Sequence, residues 1–171
     1  MRKLILATRG SRLALIQAEL VRSALLAEGA GTEIRIVSTK GDRDRISSIA
    51  EIGGRGLFVT ELERILLEGD ADIAVHSGKD LPYRLQKGLV IAGVPEAAAP
   101  NDCLITNRET KTIRRIGTGS PRRVLECRKF YPDAEYVSIR GNVDTRLEKL
   151  RRGEYDGILL AKAGLDRLSA D

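Results

Sequence analysis

Strand-like and helix-like segments alternate along the chain, and glycines mark many of the turns between them. Lys3 to Thr8 (KLILAT) is a short apolar run typical of a buried strand. The next segment, from Ser11 to about Glu28, repeats its apolar residues at the spacing of an α-helix, and Gly29 ends it. Strands that alternate with helices through short connections predict the α/β fold class with a largely parallel sheet, because a helix usually carries the chain between two parallel strands.

The same patterns locate the remaining elements and a domain boundary. Strands are predicted over 3–8, 33–38, 71–75, 88–94, 103–106, 115–118, 135–139 and 155–160. Helices are predicted over 11–28, 57–68, 121–130, 142–152 and 161–168. The polar, glycine-rich stretch 39–56 predicts a mobile loop. Glu96 to Asn101 (EAAAPN) is typical of a linker, so we expect two α/β domains, 1–96 and 97–171.

Composition argues against several classes of protein. No run of about 18 apolar residues is present, so we expect no membrane span. The apolar run in the opening MRKLILATRGS is too short for a secretory signal, which predicts a cytoplasmic protein. Cys103 and Cys127 lie far apart, without a CxxC pattern and without a histidine near either. We therefore expect neither a disulfide framework nor a metal site, and both cysteines are interpreted as core residues.

The chain is basic, with a formal net charge of +5 and a pI of about 9.4. This charge is typical of a solvated basic surface or of a protein that binds an anion, such as nucleic acid, phosphate or carboxylates. Aromatic residues make up only 4% of the chain, which argues against nucleic acid because single strands bind by stacking on aromatic rings. Neither a P-loop nor a GxGxxG motif is present, so a nucleotide is not the predicted ligand.

Four polar segments follow predicted strands, and each mixes glycine or hydroxyl residues with cations. They are TRGS (8–11), HSGKD (76–80), GTGSPRR (117–123) and RGNVDTR (140–146). Glycine lets backbone amides approach a ligand, a helix N-terminus favours an anion, and arginine adds a bidentate fork for a carboxylate or phosphate. One such segment alone would indicate a loop with solvated charges. Four at equivalent places predict a cationic cleft for a ligand with several anionic groups.

Asp80 is the exception in this basic setting. A carboxylate beside Lys79 could stabilise a developing cation or shuttle a proton. The alternative is a structural salt bridge with Lys79 or with an arginine. His76, the only histidine, is either a catalytic base or a hydrogen-bonded structural residue at a strand end, and we interpret it as structural.

The motifs, in chain order, resemble the porphobilinogen deaminase family, also called hydroxymethylbilane synthase. They are ATRGSRLALIQA, GGRGLFVTELE, DIAVHSGKDLP, GTGSPRR, RGNVDTRLEKL and YDGILLAKAGLDRL. The resemblance implies two domains similar to type II periplasmic binding proteins. It also implies a transferase of haem and tetrapyrrole biosynthesis that condenses four porphobilinogen molecules head to tail with loss of ammonia, on a dipyrromethane cofactor attached to a cysteine.

The resemblance implies a role for each matching residue. Asp80 matches the catalytic carboxylate, which stabilises positive charge on the pyrrole. The residues that match positions binding cofactor or substrate are Arg9, Ser11, Arg55, Ser77, Lys79, Thr118, Ser120, Arg122, Arg123, Arg140, Gly141, Arg146 and Arg167. Arg55 stands where the family usually has lysine, so the charge is kept but the geometry changes.

The resemblance also implies a third domain that carries the cofactor cysteine. The chain stops at Asp171, and neither Cys103 nor Cys127 matches the attachment cysteine. We therefore expect the cofactor anchor to lie outside these residues, in a partner chain or a further C-terminal domain. The alternative function is a non-catalytic module that binds a polyanionic pyrrole or another carboxylate ligand, and a weaker one is a nucleic-acid binder. Asp80 favours the enzyme, because an anion binder gains nothing from a carboxylate.

Overall fold

The computed structural model describes residues 2–39, 59–107 and 112–169. The chain divides into two compact units, Met1–Glu96 (unit 1) and Ala97–Asp171 (unit 2). Within the described ranges, no helix combines the length and the apolar character needed to cross a membrane. The same ranges contain no group of His, Cys, Asp and Glu side chains that could hold a metal ion.

Unit 1 is a parallel sheet with helices. Its elements are β1 (Leu4–Arg9), α1 (Arg12–Ala27), β2 (Thr32–Val37), α2 (Thr60–Leu67) and β3 (Ile73–Ala74), followed by a 3₁₀ turn (Gly78–Asp80). The strand order is β2-β1-β3, and β1 pairs in parallel with both neighbours. This arrangement brings the carboxyl ends of all three strands to one edge of the sheet.

The core of unit 1 lies between β1 and α2. Ala7 and Leu62 are fully buried, and they cluster with Ile65 and Ala71. Small side chains at Ala7 and Ala71 let the helix pack close to the sheet. Asp72 ties the start of β3 to the sheet, because its carboxylate accepts a hydrogen bond from the Ile5 backbone N–H at 2.8 Å.

Unit 2 is a mixed sheet in the order β4-β7-β5-β6. Its elements are β4 (Asp102–Thr106), β5 (Arg115–Gly117), α3 (Pro121–Arg128), β6 (Glu135–Val137), α4 (Val143–Arg151), β7 (Gly157–Ala161) and α5 (Lys162–Leu168). The pairs β5–β6 and β5–β7 are parallel, whereas β4 runs antiparallel to β7. The first residue of β4 therefore lies beside the last residue of β7.

Strand β7 forms the centre of unit 2 and is covered on both faces. Ile158 and Leu160 pack with Leu150 and Ile139, whereas Leu159 packs with Cys127 and Ile116 in a separate cluster. Neighbouring residues of a strand point to opposite faces, so this division shows helices or loops on each side. Both cysteines are free thiols; Cys127 is buried as predicted, and Cys103 is half-buried in β4.

The structure confirms the α/β fold class and most of the predicted elements, with two corrections. The predicted strand over 88–94 is absent, and the strand predicted over 71–75 is reduced to Ile73–Ala74. An apolar run forms a strand only where a neighbouring strand offers hydrogen bonds. Val90 and Val94 in the first of these segments are instead 83% and 82% exposed. The antiparallel direction of β4 was not predicted, but it is compatible with a largely parallel sheet. The loop predicted over 39–56 lies outside the described residues apart from Thr39.

Candidate functional site

Unit 1 brings two of the four predicted segments to the same edge of its sheet. Ala7 of β1 pairs with Ala74 of β3 in parallel, so the residues that follow each strand emerge side by side. Arg9 and Ser11 follow β1, and the segment from His76 to Asp80 follows β3. The predicted site residues of unit 1 that the structure describes thus share one edge: Arg9, Ser11, Ser77, Lys79 and Asp80.

Ser11 is the N-cap of α1. Its hydroxyl oxygen accepts a hydrogen bond from the Ala14 backbone N–H at 3.3 Å, while Thr8 donates to the Ala14 carbonyl at 3.2 Å. The Ser11 hydroxyl proton is left to donate elsewhere, and the backbone N–H groups at the helix start also favour an anion. The predicted ligand role of Ser11 is therefore compatible with its capping role.

Ser77 is held by a residue that the sequence analysis missed. Its hydroxyl donates to Gln17 Oε1 at 3.0 Å, which ties the end of β3 to α1. The Ser77 carbonyl accepts from the Asp80 backbone N–H at 2.9 Å and so forms the 3₁₀ turn. Gln17 lies in the ATRGSRLALIQA motif, but a single polar residue on an amphipathic helix carries no signal of its partner.

The Asp80 side chain is half-buried, and its carboxylate has no partner among the described residues. Within the part of the chain that the structure describes, its carboxylate makes no hydrogen bond or ion pair, and the exposed ammonium group of Lys79 makes none either. The structural salt bridge, which was the alternative to a functional role, is therefore not formed by these described residues. A carboxylate held at a strand edge without a counter-ion is available to a ligand.

His76 lies between opposing charges beside this carboxylate. Burial lowers the pKa of His76 below its ordinary value, and the Arg9 charge lowers it further, whereas the Asp80 charge raises it. The imidazole is therefore neutral at neutral pH. A neutral imidazole is compatible with both interpretations of His76, as a structural residue and as a catalytic base.

Unit 2 gathers the other predicted segments at the carboxyl ends of its parallel strands. Thr118 to Arg123 follow β5, and Arg140 to Arg146 follow β6. Thr118 is buried, and its hydroxyl oxygen accepts from the Ser120 backbone N–H at 3.2 Å. Ser120 caps α3, because its hydroxyl accepts from the Arg123 N–H. A shallow pocket lies here, lined by Thr118, Gly119, Ser120, Pro121, Val124, Leu125 and Ser138.

Arg122 and Arg123 share one carboxylate, that of Asp102. Arg123 donates from Nε to Oδ1 at 2.9 Å, and its Nη2 forms an ion pair with the same oxygen at 2.7 Å. Arg122 donates from Nη2 to Oδ2 at 2.5 Å. Burial alone would raise the pKa of Asp102, but the hydrogen bonds and charges of the two arginines outweigh it and hold that pKa below its usual value. Asp102 was not predicted, because its place depends on the antiparallel direction of β4.

Arg146 lies in a crowded group of cations. Its Nε donates to the Gly141 carbonyl at 2.8 Å, and no carboxylate pairs with it in the described part of the chain. Burial lowers the pKa of Arg146, and the nearby charges of Arg123 and Arg140 lower it further. The two neighbouring guanidinium groups thus disfavour the positive charge of Arg146, and an anionic ligand would relieve this repulsion.

Two predicted site residues are not placed in this group. Arg167 lies in the last turn of α5 and makes no hydrogen bond or ion pair with the described residues. Arg55 lies outside the described residues. The structure therefore groups Thr118, Ser120, Arg122, Arg123, Arg140, Gly141 and Arg146 at the carboxyl ends of β5 and β6.

Gly141 is required by its backbone conformation. Its φ is +110°, and a Cβ atom there would lie 2.7 Å from Thr145 Cγ2. We expect Gly141→Ala to lower the free energy of unfolding by about 1–3 kcal/mol. Gly119→Ala is the matched control, because the nearest atom to its added Cβ, the Ile139 carbonyl oxygen, is 3.8 Å away. Urea denaturation of both variants tests this, and equal stabilities would contradict the strain at Gly141.

Comparison with known proteins gives one consistent match. The protein-family profile described as "Porphobilinogen deaminase, dipyromethane cofactor binding domain" matches residues 4–171. The porphobilinogen deaminase of Nitratidesulfovibrio vulgaris (strain DP4) is 46% identical over 176 residues, which cover 98% of this chain and 56% of that protein. The enzyme of Sulfurimonas denitrificans is 42% identical over 176 residues, covering 99% of this chain and 56% of its own length.

Solved structures show a more distant similarity. The periplasmic VFT2 domain of Bordetella pertussis BvgS superposes with a TM-score of 0.49 at 15% identity, over 93% of this chain and 66% of that chain. A similarity at this level supports no further conclusion. The chain spans about half the length of the curated relatives that it matches. The profile match over residues 4–171 and the identity of 46% nevertheless show that this chain belongs to the porphobilinogen deaminase family.

Proposed function

We propose that this chain is the cofactor- and substrate-binding part of a hydroxymethylbilane synthase. Such a transferase joins four porphobilinogen molecules head to tail and releases ammonia at each step. The observation that carries the proposal is the Asp80 carboxylate, which lies half-buried at the edge of the unit 1 sheet without a counter-ion among the described residues. A site that only binds anions would be weakened by such a group, whereas a reaction through a cationic intermediate needs it.

The cations of unit 2 suit the ligand. Porphobilinogen carries an acetate and a propionate, so each added unit brings two carboxylates. Arg146 has no carboxylate partner in the described ranges, and neighbouring guanidinium charges disfavour its own charge. Ligand carboxylates would relieve this repulsion and would also receive hydrogen bonds from Ser120 and the start of α3. We propose that these groups distinguish the pyrrole ligand by its carboxylates.

The dipyrromethane cofactor used by the family fits the same residues. It carries four carboxylates, and the crowded guanidinium groups of Arg123, Arg140 and Arg146 supply matching positive charge. When bound, the cofactor supplies the pyrrole ring to which the first porphobilinogen is joined. Neither Cys103 nor Cys127 is proposed as its attachment point, because one lies in a strand and the other in the core of unit 2.

Asp80 performs the electrostatic part of the reaction in this proposal. The aminomethyl group reacts in its protonated, ammonium form. The bond between its carbon and nitrogen breaks, the electron pair leaves with the nitrogen, and the nitrogen departs as ammonia. Positive charge then develops on the pyrrole ring and its nitrogen. The Asp80 carboxylate accepts a hydrogen bond from that pyrrole N–H and stabilises the charge until the α-carbon of the next ring attacks. A new carbon–carbon bond then forms, and the attacking carbon loses its proton to solvent. Lys79 and Arg9 bind carboxylates of the same substrate.

The remaining parts of the proposal concern organisation. We propose that 1–96 and 97–171 are the first two domains of the family, and that the cofactor cysteine belongs to the other half of the length seen in the relatives. That half is either a further C-terminal domain or a partner chain. A cytoplasmic location and the absence of nucleic-acid and membrane partners also belong to this proposal. Ser77 and Arg167 are included as ligand-binding residues, as is Arg55.

Turnover of porphobilinogen by this chain tests the proposal. The chain is incubated with porphobilinogen alone and together with the carboxyl-terminal remainder of the Nitratidesulfovibrio enzyme. Consumption is measured by acid oxidation to uroporphyrin, and intact mass is measured on the same samples. We expect uroporphyrin when the remainder is supplied. Calorimetric binding of porphobilinogen without turnover in either sample would instead identify a non-catalytic binding module, and neither binding nor turnover would overturn both functions.

A further inference from the structure

We propose that Asp102 is a positioning residue that sets the geometry of Arg122 and Arg123 in the carboxylate-binding surface of unit 2. The inference rests on the proposed function only for the identity of the ligand. It concerns a residue that the motifs of the chain do not include, at the point where the antiparallel strand β4 begins. Asp102 pairs with Ala161 at the end of β7, so its carboxylate lies at the same edge as the arginine-rich segments.

The two oxygens of Asp102 serve different arginines. Oδ1 accepts a hydrogen bond from Arg123 Nε and forms an ion pair with Arg123 Nη2, whereas Oδ2 accepts a hydrogen bond from Arg122. Consecutive residues at the start of a helix point in different directions, about 100° apart. One carboxylate that binds both therefore restricts both side chains at once, and their positions are correlated through it.

The two arginines differ in burial and in how many of their nitrogens are bound: Arg123 is mostly buried, and Arg122 is exposed. Arg123 also donates from Nη1 to the Leu159 carbonyl at 3.1 Å, so all three of its nitrogens are engaged, and its side chain is only 13% exposed. Arg122 uses one nitrogen, and its side chain is 67% exposed. In the described part of the chain, the other two nitrogens of Arg122 have no partner. Asp102 thus orients Arg122 while leaving most of its donors for a ligand.

Charge alone makes the opposite prediction. Asp102 is a negative group beside two cations, Arg122 and Arg123, and the second of these also lies near Arg146. If it acted only as a competing anion, replacing it with asparagine would raise the positive charge and strengthen anion binding. If it positions the arginines, the same replacement weakens binding, because the guanidinium forks lose their orientation. The sign of the change therefore separates the two roles.

The experiment measures binding by calorimetry with two probes, porphobilinogen and citrate, in the wild-type chain and in Asp102→Asn, Asp102→Glu and Glu135→Gln. We expect Asp102→Asn to weaken both probes about tenfold, and Asp102→Glu to recover part of the loss. Glu135→Gln is the matched control, because it also removes one negative charge from unit 2, from an exposed pair with Arg115 at 3.7 Å. Its affinity should equal that of the wild type or slightly exceed it.

A spectroscopic readout separates positioning from a loss of folding. The Arg123 Nε–H donates to Asp102, so its NMR resonance should shift and exchange faster with water in Asp102→Asn while the backbone spectrum stays folded. Equal or tighter binding in Asp102→Asn, or an unchanged Arg123 resonance, would overturn the proposal. Binding of citrate but not porphobilinogen by the wild type would overturn the proposed function alone. The role of Asp102 would then be tested by the change in citrate affinity in Asp102→Asn. Binding of neither probe would overturn both.

Discussion

Replacing Asp80 with asparagine is expected to reduce turnover of porphobilinogen by about a hundredfold or more in the assembled enzyme. Asparagine has nearly the same size as aspartate, so the change removes the negative charge and little else. That charge is what stabilises the cation formed as ammonia leaves. Because the Asp80 carboxylate makes no hydrogen bond or ion pair among the described residues, the fold does not depend on it.

Stability should accordingly be unaffected by Asp80→Asn. We expect the free energy of unfolding to stay within about 0.5 kcal/mol of the wild-type value. Asp70→Asn is the matched control for activity, because Asp70 is an exposed aspartate of the same unit, in the turn before β3. Its kcat should be normal. A near-normal kcat in Asp80→Asn would contradict the catalytic role of the carboxylate. A large loss of stability would show that the carboxylate has a structural role.

Arg123→Ala is expected to lower both the stability of unit 2 and its affinity for porphobilinogen. The variant leaves the Leu159 carbonyl without this donor, and it removes one of the two hydrogen bonds described at the Asp102 carboxylate together with the ion pair from Nη2. Because the side chain is mostly buried, the free energy of unfolding should fall by about 2 kcal/mol. Affinity should fall as well, since a cation of the group around Arg146 is lost and Arg122 loses the geometry shared through Asp102.

Arg122→Ala should separate these two effects. Its side chain is exposed and contributes one contact to Asp102, so the loss of stability should stay below about 1 kcal/mol. Its loss of affinity should still be about tenfold, as for a charge-assisted hydrogen bond to a ligand. Denaturant titrations and calorimetry on both variants measure the two quantities. Equal losses of stability would show that the mostly buried Arg123 contributes no more to stability than the exposed Arg122. Unchanged affinities would place both arginines outside the binding surface.

Local chemistry explains why much of the fold and site could be predicted. Helix ends depend on residues only a few positions away: a serine before the helix, a proline in its first turn or a glycine after its end. The helices α1 and α3 accordingly begin where Ser11 and Ser120 predict. In parallel pairing the carboxyl ends of strands meet, so polar segments after β1 and β3 had to lie together once the pairing was parallel. The position of the candidate ligand-binding segments follows from this rule.

Strand pairing and side-chain partners depend instead on residues far apart in the chain. An apolar run does not reveal whether it has a neighbouring strand, which is why residues 88–94 were wrongly predicted to form one. The bond between Ser77 and Gln17 joins residues that only the packing of β3 against α1 brings together.

The sequence by itself determined the fold class, the family and the chemical character of the site, because these follow from periodicity and from motifs read in order. Only the tertiary structure decided that β4 runs antiparallel, and therefore that Asp102 reaches the arginine pair. It also decided that Asp80 has no counter-ion among the described residues whereas Arg123 has one. The physical reason is that hydrogen bonding and desolvation act on neighbours in space, and their identity depends on how the whole sheet is paired.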